Sequence, residues 1–324
     1  MYIELMKKIA GILVVSAIVC TSLHAQERND VITSYNEGAR LMQTDVPAAI
    51  KAFENVIALS DKVGESAADL RQKAVQVLPG LYSKVALAAI NEKKPAQEIM
   101  KAAKEASAIA EEYGTATHKE NAGKIMVQAY NTLANSYFSK DDYANALLTF
   151  DSLLLINPGY VNAIYNKALI YMRQNNAGTF EETIDLFIEK LKGGNDTTRI
   201  KQASTLALEY FRSAGSKANQ ANNPDEALTM LNKAAKYGND KDLFYYFADV
   251  YNKQKNFDSG AEYAQKGLSL EKGEAEAKAK FYYQLAVAQA GKGQTAEACA
   301  SFKNALYGPF ADASKAQRTN LKCK

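Results

Sequence analysis

From residue 127 onward, large apolar residues recur three and four apart and flank small ones. Tyr130, Leu133, Ala134 and Tyr137 fall on one helical face. After the polar turn "SKDD", Tyr143, Ala146, Phe150 and Leu153 do the same. Small residues at Ala134 and Ala146 let two helix backbones approach, and the large ones fill the space beside that contact. Pro158 cannot continue the second helix and ends it. The pattern predicts a helical hairpin, helix A then helix B. With Val127 as position 1, the pattern restarts at Val161, thirty-four residues on.

The same positions are filled again further along. From Lys241, Phe244, Phe247, Ala248, Tyr251, Phe257 and Gly260 take them in turn. From Ala279 they fall to Tyr282, Leu285, Ala286, Ala298 and Phe302, and from Leu208 to Phe211, Gly215, Ala227 and Leu231. The unit starting at Val161 has Ile164, Ala168 and Tyr171 in helix A, with a turn expected to be about three residues too long before Ile184 and Phe187. Residues 35–59 read as a further unit. Residues 62–117 read as a degenerate one with long helices, the first kinked at Pro79-Gly80. Pro47, Pro95 and Pro224 each sit where a second helix should begin, and Asn223 with Glu226 fits a helix cap. The polar stretch 311–322 predicts a final capping helix.

This spacing resembles the tetratricopeptide repeat (TPR), with Tyr130 at the position where that family has Trp and Ala134 where it has Gly. The resemblance covers residues 31–310. It implies an all-α fold, a right-handed superhelical solenoid of about seven antiparallel helix pairs closed by the C-terminal helix. A single hairpin cannot bury both faces, so neighbours must stack. The expected organisation is a leader over 1–25, divergent units over 26–118, well-matched units over 119–310 and the cap over 311–324.

Composition narrows the function. The chain has 39 basic and 36 acidic residues, well mixed, which gives no basic field for nucleic acid. Lys7 and Lys8, the apolar run from Ile9 to Cys20, and Ala25 read as a cleaved secretion signal, whether the start is Met1 or Met6. The run is too short to span a bilayer, and Val19 before Cys20 does not suit lipid attachment. These features predict a periplasmic or secreted protein with no transmembrane segment in the mature chain. Catalysis and metal binding find little to work with. His118 is the one histidine past the leader and is expected in a loop, there is no Cys/His cluster, and "GKGQT" lacks the first glycine of a phosphate loop. No enzyme, cofactor or metal is expected. Cys299 and Cys323 could form a disulfide in an oxidising compartment, tying the cap to the last repeat, or could remain two thiols.

In the TPR family the A helices line a concave groove. The resemblance implies that Asn131, Asn135, Phe138, Tyr165, Met172, Arg173, Arg212, Asn219, Tyr245, Asp249, Asn252 and Tyr283 face it. Tyr, Asn and Arg suit peptide recognition, although some rings could instead pack between helices. The basic residues of the family's carboxylate-clamp subtype are missing: Asn131, Glu209 and Ser213 stand in their places. The expected function is a scaffold or adaptor that binds a protein or peptide partner in the cell envelope. The alternative is a module for a glycan or peptidoglycan fragment.

Overall fold

A computed structural model describes residues 26–324, so the expected leader lies outside the described residues. Every regular element among those residues is helical. The helices form antiparallel pairs joined by turns of three or four residues. The chain divides into two compact units, the first ending at Ala163 and the second running from Ile164 to Lys324.

The first unit contains α1 (residues 26–41), α2 (Val46–Val63), α3 (Ala68–Asn91), α4 (Ala96–Tyr113), α5 (Ala116–Phe138) and α6 (Tyr143–Ile156). Its core includes two clusters. Val31, Phe53, Val56, Leu70, Leu78 and Leu81 form one, and Ile99, Met100, Ile125 and Met126 with four alanines form the other. The long helices expected over 62–117 are present. α3 passes through Pro79 and continues to Asn91, because the buried proline leaves one backbone bond unmade while packing holds the helix together. The boundary expected between residues 118 and 119 is interior to α5. His118 is likewise not in a loop. It is the third residue of α5, where Nδ1 accepts from the Thr115 backbone N–H at 3.3 Å and so caps the helix.

α7 (Val161–Arg173) carries the division between the units. The second unit continues with α8 (Ala177–Lys192), α9 (Thr197–Gln220), α10 (Pro224–Tyr237), α11 (Lys241–Lys253), α12 (Phe257–Leu270), α13 (Ala275–Gly291) and α14 (Thr295–Asn304). The turn between α7 and α8 is not overlong. It has three residues, 174–176, so Ile184 and Phe187 keep their repeat positions, and the real departure is Phe180 where a small residue is usual. Phe180, Phe211, Phe247, Phe281 and Phe302 are fully buried and supply the large side chains of this core.

One turn design recurs between A and B helices. Lys93, Asp141, Asn175, Asn222, Lys255 and Gly293 each adopt positive φ, between 53° and 75°. The residue after each donates its N–H to a carbonyl five residues back, for example Asn176 to Tyr171 at 3.0 Å and Asn256 to Tyr251 at 2.9 Å. In four of these turns that same residue caps helix B: Asp142, Asn176, Asn223 and Asn256 accept from the N–H three residues on. One tight turn thus ends a helix and starts the next.

A 3-10 turn (Gly308–Phe310) and α15 (Ala311–Asn320) close the second unit, as the polar stretch 311–322 predicts. Ser314 is fully buried and donates to the Ala305 carbonyl at 3.3 Å, while Leu321 packs on the cluster of Ala286, Ala298 and Phe302. Cys299 in α14 and Cys323 are joined as a disulfide, Cα atoms 5.5 Å apart.

Candidate functional site

The A helices of the second unit are α7, α9, α11 and α13. The residues expected to line a groove on them have unequal fates. Asn219 and Asn252 are buried, only 3% and 7% exposed. Asn219 donates to Asp249 at 2.5 Å and accepts from Lys253 at 3.1 Å. Asn252 donates to the Gln284 side chain at 2.8 Å and to its carbonyl at 2.9 Å. Gln284 in turn donates to Asp249 at 2.9 Å. These side chains form an internal polar lattice across α9, α11 and α13. Asn219 and Asn252 are thus turned into the molecule, where their amide N–H groups tie three helices together, while the Asn252 amide oxygen is buried without a partner. Arg212 is also committed, pairing with Asp240, the residue that caps α11 through the Leu243 N–H.

The aromatic positions split in the same way. Tyr245 packs among Tyr246, Phe281 and Phe310, and Lys280 lies 5.4 Å from its ring centre. Burial pushes its hydroxyl up to about 12, and the nearby Asp249 charge adds to that. Tyr283 touches Phe302 and Phe310. Met172 is half-buried and Arg173 exposed at the end of α7. In the first unit, Asn135 donates to the Asn131 carbonyl at 2.8 Å and to its side chain at 3.1 Å, and Phe138 lies 6.2 Å from Tyr143.

Tyr165 is different. It lies on α7, with one side of its ring 4.9 Å from Phe187 and a cleft of about 780 Å³ on another. Thr197, Thr198, Lys201, Gln202, Thr205, Leu206 and Glu209 line the rest, all from α9. The cleft exists because α9 begins eleven residues before Leu208, where the repeat count starts helix A. Asp196 caps this extension, accepting from the Arg199 N–H at 3.0 Å and from its guanidinium at 2.6 Å, which holds the carboxyl below its usual range. Thr198, Lys201, Gln202, Thr205 and Glu209 are exposed, and among the described residues none has a side-chain hydrogen-bond partner. They recur three to four apart, so they form one polar row beside a half-buried aromatic ring. Repeat counting misses this row because the extension lies outside the repeat. The signal in the sequence is the alternation of polar residues with Ile200, Ala203 and Ala207 on the opposite face.

No family model matches the chain, and no curated protein does either. Similar solved structures include the MamA protein, 21% identical over 61% of this chain and 96% of that one, with a TM-score of 0.34. YrrB, titled a TPR protein with an unusual peptide-binding site, is 18% identical over 58% of this chain and 91% of its own, TM-score 0.35. A tetratricopeptide repeat protein from Parabacteroides merdae is 17% identical and covers 92% of this chain and 99% of its own, TM-score 0.29. Likenesses this distant say nothing of what this chain binds.

Proposed function

We propose that the chain is a non-enzymatic scaffold of the cell envelope that seats a peptide segment of a partner protein in the α7–α9 cleft. The observation that supports this is the row of uncommitted polar side chains beside Tyr165. Elsewhere on the A helices of the second unit, polar groups are largely consumed by the molecule itself. Here a hydroxyl, an ammonium, an amide, a second hydroxyl and a carboxylate stand free along one helix. Such a row can pair with the donors and acceptors of an extended backbone, while the Tyr165 ring supplies amphipathic contact area. The leader-like segment 1–25 supports the envelope location. A cleft of this volume matches a small-ligand site as well, so a glycan fragment is the outcome to be tested against.

The triple variant Tyr165→Ala, Lys201→Glu, Gln202→Ala should lose partner capture in cross-linked envelope extracts while keeping its helical circular dichroism. Capture at wild-type level by that variant sinks the cleft as the seat. Retention of the wild-type chain on immobilised peptidoglycan fragments, lost in the variant, would replace the peptide with a glycan.

A further inference from the structure

Tyr245 and Tyr283 take the fifth position of consecutive units, so they share one face of α11 and α13. A third ring covers them. Phe310 lies 5.4 Å from Tyr283 and 6.5 Å from Tyr245, tilted to the first by 42° and nearly perpendicular to the second at 76°. It comes from the 3-10 turn between α14 and α15, at the end of the last unit. Gly308 makes the bend with φ +51°, and a Cβ there would meet the Glu276 carboxylate at 3.0 Å. Phe310 itself is only half-buried, unlike the five phenylalanines of the core. Phe310 sits at the N-terminal end of α15, and Ser314, Leu321 and the Cys299–Cys323 disulfide also hold that helix in place.

We infer that Tyr245 and Tyr283 form a subsite for an aromatic side chain, that Phe310 fills it in the free chain, and that a bound partner segment displaces Phe310 with an aromatic residue of its own. This rests on the reading of the chain as a peptide-binding scaffold. The geometry explains the choice of ligand. Two rings from different helices present a corner that Phe310 meets once edge-on and once tilted, and such pairings favour an aromatic over an aliphatic chain of equal size. Occupation by Phe310 lowers apparent affinity by the fraction of time the subsite is open. The raised Tyr245 hydroxyl, near 12, agrees with a ring kept covered.

The test uses the full chain and N-acetylphenylalanine amide as probe, followed by NMR. Phe310→Ala should bind the probe at least about tenfold more tightly than wild type, as removal of an internal competitor requires. Adding Tyr283→Ala should abolish the gain, and N-acetylleucine amide should bind Phe310→Ala at least about tenfold more weakly. In Phe310→Ala the Tyr245 hydroxyl should titrate lower than it does in wild type. A helical Phe310→Ala that binds the probe no better than wild type overturns the proposal, as does equal binding of the leucine probe. If Phe310→Ala loses its helicity, wild type decides: saturating probe must speed hydrogen exchange of the amides at 308 and 310, and unchanged protection overturns the proposal. Cleft variants that leave capture intact would sink the peptide seat at α7–α9 alone, since the probe reads a different place.

Discussion

The two units repeat one hairpin but fill it differently. Residues 26–163 hold three of the twelve phenylalanines, and residues 164–324 hold the other nine. The first unit has 17 acidic and 14 basic residues, the second 18 and 23. Several ion pairs of the first unit are exposed, such as Lys124–Glu120 and Arg71–Asp61. Several of the second tie together segments that are not adjacent along the chain: Glu181 with Lys233 and Lys236, Lys241 with the buried Glu271, Asp242 with Lys280. Large rings need small residues opposite them. A Cβ at Gly267 would fall 2.4 Å from Phe281, and one at Gly260 would fall on the Asn252 amide oxygen. Among the described residues the second unit thus buries six phenylalanines against two in the first, while each buries thirteen alanines, so close ring contacts are concentrated in the second.

That contrast predicts unequal costs for the same change. Gly260→Leu should destabilise by about 3–5 kcal/mol, since it overpacks the helix contact and drives Asn252 off its buried bonds to Gln284. Ala146→Leu at the equivalent position of the first unit, where only apolar packing is disturbed, should cost about 1–3 kcal/mol. Urea melts of both variants measure this. Equal costs would show that the lattice adds nothing to the packing.

A second difference is covalent. Among the described residues the first unit has no cysteine, while the second closes a loop with Cys299 and Cys323 separated by 24 residues. A disulfide over such a loop contributes about 3 kcal/mol. Cys323→Ser should lower the melting temperature by a corresponding amount, and reductant should lower that of wild type but not of the variant. Titration of two free thiols in the exported, unreduced protein would remove the basis for this.

The repeat was legible where tolerance is close. Gly215, Gly260, Phe211 and Phe247 carry positional information because few residues fit there. It was faint over 62–117, where alanine fills the contacts and many substitutes would pack as well. His118 was misread because a helix start three residues earlier depends on Thr115, and no capping pair with histidine stands out in a string. The site was the least legible part. Positions of the repeat say which face a residue is on, and not whether a neighbour thirty residues away has taken its hydrogen bonds. Asn219 and Asn252 were lost to Asp249 and Gln284 in that way, and the α9 row lay outside the count altogether.

Acid should weaken the second unit more. Lys241 donates to Glu271 at 2.7 Å and the Gly273 N–H donates at 2.8 Å, which hold this carboxyl below its ordinary 4.5. Burial raises the Glu181 carboxyl, but Lys233 and Lys236 more than offset that and leave it lowered. A carboxyl depressed by folding stabilises fully above its unfolded value, and the contribution fades as pH falls through the folded one. Melting temperature should therefore drop as pH falls below about 4.5, the unperturbed glutamate range. Glu271→Gln should flatten part of that drop, and an identical pH profile in the variant would show that the Lys241 pair is not coupled to folding.

The smallest effect tests what the two units share. Lys93 in the first and Lys255 in the second are exposed and hold φ at 53° and 61°, each ending an A helix. A left-handed backbone costs an ordinary residue about 1–2 kcal/mol, and glycine avoids that cost. Glycine also gives the unfolded chain more freedom, which takes back roughly 0.5–1 kcal/mol. Loss of the lysine charge near a helix C-terminus removes a few tenths more. The net expectation for Lys93→Gly and for Lys255→Gly is a gain of about 0.5 kcal/mol, the same in both. Lys255→Asn, which tolerates this conformation without glycine's freedom, should do at least as well. If one lysine variant gains stability and the other loses it, the turns differ in energy despite their common hydrogen bond, and the equivalence of the hairpins stops at their shape.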